Sequence, residues 1–206
     1  MEEKKITIGG QAVIEGVMMR GPELVATAVR NPQGRIELEV KPVNSIADRY
    51  PIFKKPMLRG CVSLFESLVM GIRSLGYSAQ MAGEEDEQLT DKELAGTMIF
   101  AFALAAVLFI AIPTGAAKLF HVITEDPVFL NLMEGFLRLF IFMAYIFAIS
   151  RMKDIQRVFQ YHGAEHKTIA CFEAGEALTV ENVARHTRLH KRCGTSFLLI
   201  VMLVSI

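Results

Sequence analysis

The amino-acid sequence predicts an α-helical integral membrane protein. It carries a small cytoplasmic α+β portion, a β-hairpin plus an amphipathic helix, and a cytoplasmic histidine-rich helical loop. Three observations predict this. Charged residues are mostly absent from two long apolar stretches. A turn signal near the N-terminus separates two β-prone runs. Four of the five histidines fall in one polar segment. The bulk composition, 52% hydrophobic with 22 basic and 22 acidic residues, gives no net charge and so no field that would recruit nucleic acid. Three widely spaced cysteines, Cys61, Cys171 and Cys193, fit a reducing compartment better than a disulfide framework.

Residues 1–56 read as a cytoplasmic β-rich unit. Leu24 to Arg30 and Arg35 to Val40 flank Asn31-Pro32-Gln33-Gly34. Proline presets φ for a turn and glycine accepts positive φ, so these runs predict a hairpin. No apolar core follows the charges of Met1 to Lys5, so no cleaved signal peptide is expected. Residues 57–93 read as an amphipathic helix followed by an acidic linker, Glu84 to Glu87. Val62, Phe65, Leu68, Val69, Ile72 and Leu75 recur at three- and four-residue spacing, giving an apolar stripe for the bilayer surface or for the hairpin. Thr90-Asp91-Lys92-Glu93 has the pattern of a capping box.

Residues 94–150 read as a transmembrane hairpin, with spans at about 94–117 and 128–150. No charge lies between Glu93 and Lys118, and about 20 apolar residues cross a hydrocarbon core. Pro113 should kink or end the first span. In the second, Glu134 and Arg138 are placed to pair at i,i+4 or to contact a neighbouring helix. Residues 151–196 form the histidine-rich loop, whose eight basic residues against five acids give +3. The 118–127 link, with Lys118 against Glu125 and Asp126, gives −1. The positive-inside rule therefore puts the loop and the N-terminus in the cytoplasm, in a multi-pass protein of the cell membrane. Residues 197–206 read as the start of a third span in a longer chain.

The loop contains two His-x-x-x-His pairs, His162/His166 and His186/His190, with Glu165 inside the first and Cys193 after the second. Residues four apart share a helix face, so each pair can present two imidazoles to one ion. Imidazole, carboxylate and thiolate are the donors zinc prefers. The string His162-Gly163-Ala164-Glu165-His166 has the form in which two histidines hold zinc and a glutamate acts as base. The expected ligands are therefore His162, His166, His186, His190 and Cys193, with Glu165 catalytic. Against this stands the plainer reading of hydrated histidines at a membrane surface. Cys171, inside Ile169-Ala170-Cys171-Phe172, reads as a packed residue.

Three segments carry a family likeness: Gly9 to Pro22 (Gly-Gly-Gln-Ala-Val-Ile-Glu-Gly-Val-Met-Met-Arg-Gly-Pro), His162 to Lys167, and Arg192 to Phe197. In that order they resemble the YqhQ family of bacterial multi-pass membrane proteins, of unknown function but described as predicted metal-dependent enzymes. The resemblance draws Gln11, Glu15 and Arg20 toward the histidine loop as substrate-binding or supporting residues. Glu15 would offer a carboxylate to a metal or a substrate amine, or pair with a nearby base. Lys167, Arg188 and Arg192 would suit an anionic substrate such as a lipid head group.

Two functions follow as expectations. One is a metal-dependent hydrolase at the cytoplasmic membrane face. The other is a non-enzymatic scaffold with at most a structural metal. The expected partners are the bilayer, an anionic substrate or head group, and a second copy or another membrane protein, but no nucleic acid.

Overall fold

A computed structural model describes residues 8–83, 90–120, 122, 124–191 and 193–204. The acidic linker at Glu84 to Glu87, His121 and Arg192 lie outside the described residues. The chain divides into two compact units. One comprises Met1–Leu89 with Arg157–Leu189, the other Thr90–Gln156 with His190–Ile206.

The first unit is built on a four-stranded antiparallel meander, β1 (Gly9–Val13), β2 (Gly16–Arg20), β3 (Leu24–Arg30) and β4 (Ile36–Pro42), in the order β1-β2-β3-β4. The predicted hairpin is β3–β4. Its turn closes through Gly34 N–H donating to Asn31 O at 2.9 Å, with Gly34 at φ 81°. The Asn31 side chain accepts from Arg35 N–H at 2.8 Å, the local bond asparagine brings to a turn.

A second hairpin, β1–β2, pairs Val13 with Gly16 and leaves a two-residue turn at Ile14-Glu15. The sequence reading missed it because no Asn-Gly or Pro-Gly signal marks that turn; Glu15 itself takes the left-handed conformation, at φ 50°. Gly16 is obligatory, since a Cβ there would lie 2.1 Å from Ala28 O on β3.

After α1 (Ile46–Arg49) and one 3-10 turn (Pro51–Lys54), the amphipathic segment forms α2 (Pro56–Ala82). The helix does not turn its large apolar stripe to the sheet. Met70, Gly71, Ser74, Tyr77, Ser78 and Met81 share the inward face, and Val13, Met18, Val25 and Val29 make the core beneath it. Phe65 and Leu68 are more than half exposed. Small residues win the inward face because they let the helix backbone approach the strands. Gly71 O accepts from Gln11 Nε2 at 3.1 Å, Ser74 Oγ accepts from Thr27 Oγ1 at 3.1 Å, and Ser78 Oγ accepts from Ile14 N–H at 3.2 Å. Each bond removes a buried polar group from the unsatisfied column, where it would cost about 1–3 kcal/mol. The four core side chains contribute about 1.5–3 kcal/mol each.

Two further helices complete the first unit: α6 (Lys153–Glu173), from Arg157 onward, and α7 (Val180–Arg185).

In the second unit, α3 (Asp91–Ala106), a π-helical turn (Val107–Ala111) and α4 (Ile112–Phe120) run on continuously. The predicted capping box is present: Thr90 Oγ1 accepts from Glu93 N–H at 3.4 Å, and a Glu93 carboxylate oxygen accepts from Thr90 N–H at 2.9 Å. Pro113 does not end the helix. The widened turn just before it lets the chain accommodate the missing N–H and the ring's clash with the preceding turn. Phe109 of that turn packs edge-on against Tyr145, centroids 5.6 Å apart. Tyr145 belongs to α5 (Pro127–Ile149), which is capped by Asp126 accepting from Val128 N–H at 3.0 Å.

Lys92–Phe120 and Pro127–Ile149 are long and apolar enough to cross a membrane, and in the most apolar window of the first no residue is buried within the structure. A core helix of a water-soluble unit would show the opposite. Glu134 and Arg138 form the expected i,i+4 pair, and Thr114 Oγ1 on α4 donates to Glu134 at 3.4 Å. A shorter apolar helix, α8 (Gly194–Val204), ends the described chain.

Candidate functional site

The site grows out of α6. This helix forms despite Gly163 because good helix formers such as Gln156, Arg157, Ala164, Lys167 and Ala170 surround it and Ile169 and Cys171 are buried; one glycine costs about 1 kcal/mol. On it His162, Glu165 and His166 fall at i, i+3 and i+4, one above the other. The imidazole centroids of His162 and His166 are 4.2 Å apart.

Both rings are held through Nδ1. His162 Nδ1 lies 3.1 Å from Glu165 Oε2, and His166 Nδ1 lies 2.7 Å from Arg188 O. A carbonyl can only accept, so His166 Nδ1 carries a hydrogen and Nε2 is the nitrogen able to offer a lone pair. Glu165 is 4% exposed and His166 6%. The His162–Glu165 contact is in ion-pair range but off the axis of a hydrogen bond, and Glu165 Oε2 is a buried oxygen with no aligned donor. A buried carboxylate in that state is costly unless a cation or a proton compensates it.

Glycine brings the sheet up to this site. A Cβ on Gly10 of β1 would come 3.0 Å from Glu165 Cγ. Glu15, in the strained β1–β2 turn, pairs with Arg157 of α6 through two bonds, one of them Nε to Oε1 at 2.8 Å, and accepts from Tyr161 O–H at 3.2 Å. The Arg157 guanidinium holds the Glu15 carboxyl below its usual range, overcoming the opposing effect of burial.

The other sequence candidates take varied places. Gln11 and Arg20 bond to α2, at Gly71 O and at Ser67 Oγ (2.9 Å), rather than to the histidines. Lys167 Nζ donates to Ala184 O at 2.8 Å, capping the C-terminal end of α7, while Arg188 contributes its carbonyl to His166. The second histidine pair is not on a helix. α7 ends at Arg185 and His186 is its extended C-cap, so the i,i+4 geometry expected for His186 and His190 does not arise. His186 belongs to the first unit and His190 to the second, as does Cys193, whose Sγ lies 2.9 Å from Thr195 Oγ1.

A family model described as "Protein of unknown function (DUF1385)" matches residues 55–206, from α2 to the end and across the whole histidine segment. The chain belongs to this family. It is 35% identical over 210 residues to the uncharacterized protein YqhQ of Bacillus subtilis (strain 168), covering 95% of this chain and 66% of that one. It thus spans just under two thirds of that relative's length. No solved structure matches it.

In this DUF1385 chain the sequence reading passed over several site residues. Arg157 and Tyr161 lie about two turns and one turn before Glu165 on α6 and fix the helix to the β1–β2 turn. Cys171 is fully buried, as a packed residue should be, yet its Sγ, a Glu176 oxygen and a His186 nitrogen all lie within 4.8 Å of one another. Burial and the Glu176 charge push the Cys171 thiol up, which speaks against a free nucleophile. The missed signal was Gly175: a glycine just past a helix end reverses the chain over its last turn.

Proposed function

We propose that the protein is a membrane-anchored, metal-dependent hydrolase whose metal is held on α6 by His162 and His166. One observation carries the reading: His166 is fixed by Nδ1 donating to a backbone carbonyl, and one helical turn away His162 has its Nδ1 3.1 Å from the buried Glu165 carboxylate. An oxygen beside Nδ1 is the support that metal-bound histidines commonly receive, and it would leave Nε2 as the nitrogen each ring offers to an ion. The under-satisfied Glu165 oxygen fits the same reading, since a nearby cation would compensate it. Zinc suits this donor chemistry and would supply Lewis acidity.

Glu165 would then fix the tautomer of His162 and take the proton from the attacking nucleophile. The Glu15–Arg157–Tyr161 contacts would hold α6 against the sheet so that this geometry stays rigid. Membrane insertion of Lys92–Phe120 and Pro127–Ile149 is supported by their outward apolar side chains. The charge bias of the 151–196 segment supports a cytoplasmic site, at the level of anionic head groups or phosphorylated substrates.

Elemental analysis of the purified full chain tests the proposal. His162→Ala with His166→Ala should remove one equivalent of zinc. Unchanged metal content overturns it. The burial of Glu165 also favours a second reading, a scaffold with a purely structural ion, because a buried base has little access to substrate. Glu165→Gln separates the two. A hydrolase loses turnover of a phosphorylated amphiphile by about 10²–10⁴-fold with the metal retained, whereas a scaffold keeps its cellular role.

A further inference from the structure

The C-terminal end of α6 has its own chemistry. The helix stops at Glu173, and Ala174-Gly175-Glu176 turns the chain back on itself. Gly175 sits at φ 73°, its N–H donates to Phe172 O at 3.0 Å, and Glu176 N–H donates to Cys171 O at 3.2 Å. That pair of bonds is the Schellman closure, which returns the second residue after the cap to the level of the last helical turn. Glu176 is thereby brought to Cys171. The chain then runs through Ala177, whose carbonyl accepts from Asn182 Nδ2 at 2.9 Å and faces Cys171 Sγ at 3.7 Å. Thr179 caps α7 by accepting from Asn182 N–H at 3.3 Å, and α7 delivers His186 at its far end.

We propose that Cys171, Glu176 and His186 form a second transition-metal site, of the zinc class, that ties α7 to the end of α6. The donor set is one thiolate, one carboxylate and one imidazole, the three groups that zinc favours. His186 Nε2 and Glu176 Oε2 are 3.4 Å apart. Two ligands at roughly 2.1 Å from a tetrahedral ion stand about 3.4 Å from each other. The thiol is fully buried while Glu176 is half exposed, so the ion would have a closed protein side and a fourth position open to solvent. Cys171 lies five residues beyond His166 and nine beyond His162, about 7–14 Å along the helix. The two sites therefore use different ligands at different levels of α6, and either can exist without the other.

A cobalt titration of the full chain in detergent tests this, in the variant Cys61→Ser with Cys193→Ser, which leaves Cys171 as the remaining thiol. Thiolate-to-cobalt charge-transfer absorption should appear in the near ultraviolet. It should vanish on adding Cys171→Ser. His186→Ala and Glu176→Gln, which alter less buried side chains and keep the fold, should weaken cobalt binding about tenfold or more. His162→Ala with His166→Ala should leave the band in place, which separates this proposal from the hydrolase reading. No thiolate band in the two-serine variant, a band that survives Cys171→Ser, or one indifferent to both His186→Ala and Glu176→Gln overturns the second site.

Discussion

The two units handle apolar side chains in opposite ways. In the first, Val13, Met18, Val25 and Val29 are at most 6% exposed beneath α2, and the polar groups that had to come inside, Thr27, Ser74 and Ser78, are paired. In the second, Phe100, Phe102, Ile110, Phe136, Phe140 and Phe147 are each at least 60% exposed. Both units are rich in hydrophobic residues, yet the larger buried cluster lies in the first. The second has the composition of an element whose solvent is hydrocarbon, where outward leucines and phenylalanines lose nothing and a charge is the expensive group. The first unit thus combines a buried core with exposed apolar residues such as Leu38 and Phe65, whereas the long helices of the second expose nearly all of theirs.

The sharpest break of that contrast is in the first unit. Gly16→Val would drive a side chain into Ala28 O, between two strands whose ladder cannot open locally. It should cost about 3 kcal/mol or more and abolish cooperative melting of the sheet; a wild-type thermal midpoint would disprove the close packing of β2 on β3. Next comes a matched pair of arginine substitutions at equally exposed positions. Phe102→Arg, in the first long helix, should impair membrane insertion by about 2.5–3.5 kcal/mol, read as protein lost from the membrane fraction. Leu38→Arg, on β4, should change stability by no more than about 0.5 kcal/mol. Equal tolerance at both positions would erase the distinction between the units.

Smaller effects sharpen the comparison within the first unit. Ser74→Ala leaves the buried Thr27 hydroxyl without its partner and should cost about 1–2 kcal/mol in denaturant titrations. Glu15→Gln should have the smallest effect, and a pH-dependent one. The Glu15 carboxyl is held below its ordinary range, about 4.3, by Arg157. The unfolded state therefore binds this proton more readily, and the pair's contribution is fully present above that range. It is lost as pH falls through the depressed folded value. The wild type should exceed the variant at pH 7, and the gap should close in strongly acidic solution. A gap independent of pH would mean that the ion pair does not anchor α6.

Local physics made much of this legible. The β3–β4 turn followed from Pro32 and Gly34, the start of α3 from Thr90 and Glu93, and the long helices from the lack of charge. The 162–166 string placed His162 beside both Glu165 and His166, because residues three and four apart are neighbours on a helix surface. The β1–β2 hairpin was hidden because its turn uses Glu15 in a conformation that glycine or asparagine normally takes, a strain held by contacts 142 residues away. Which face of α2 packs inward was left open for a related reason. Periodicity picks out large apolar residues, whereas close approach to a sheet selects small ones.

The sequence by itself determined most of the elements: the β3–β4 hairpin, the amphipathic α2, the long apolar helices and the helical placement of His162, Glu165 and His166. Those outcomes depend on neighbours within a few residues. Only the tertiary structure decided that Arg188 lends its carbonyl to His166, that Glu15 reaches Arg157, and that Cys171, Glu176 and His186 meet. Each of these depends on where a chain reversal sends the backbone, and a turn of a few degrees at Gly175 or Glu15 is not encoded in the residues it brings together.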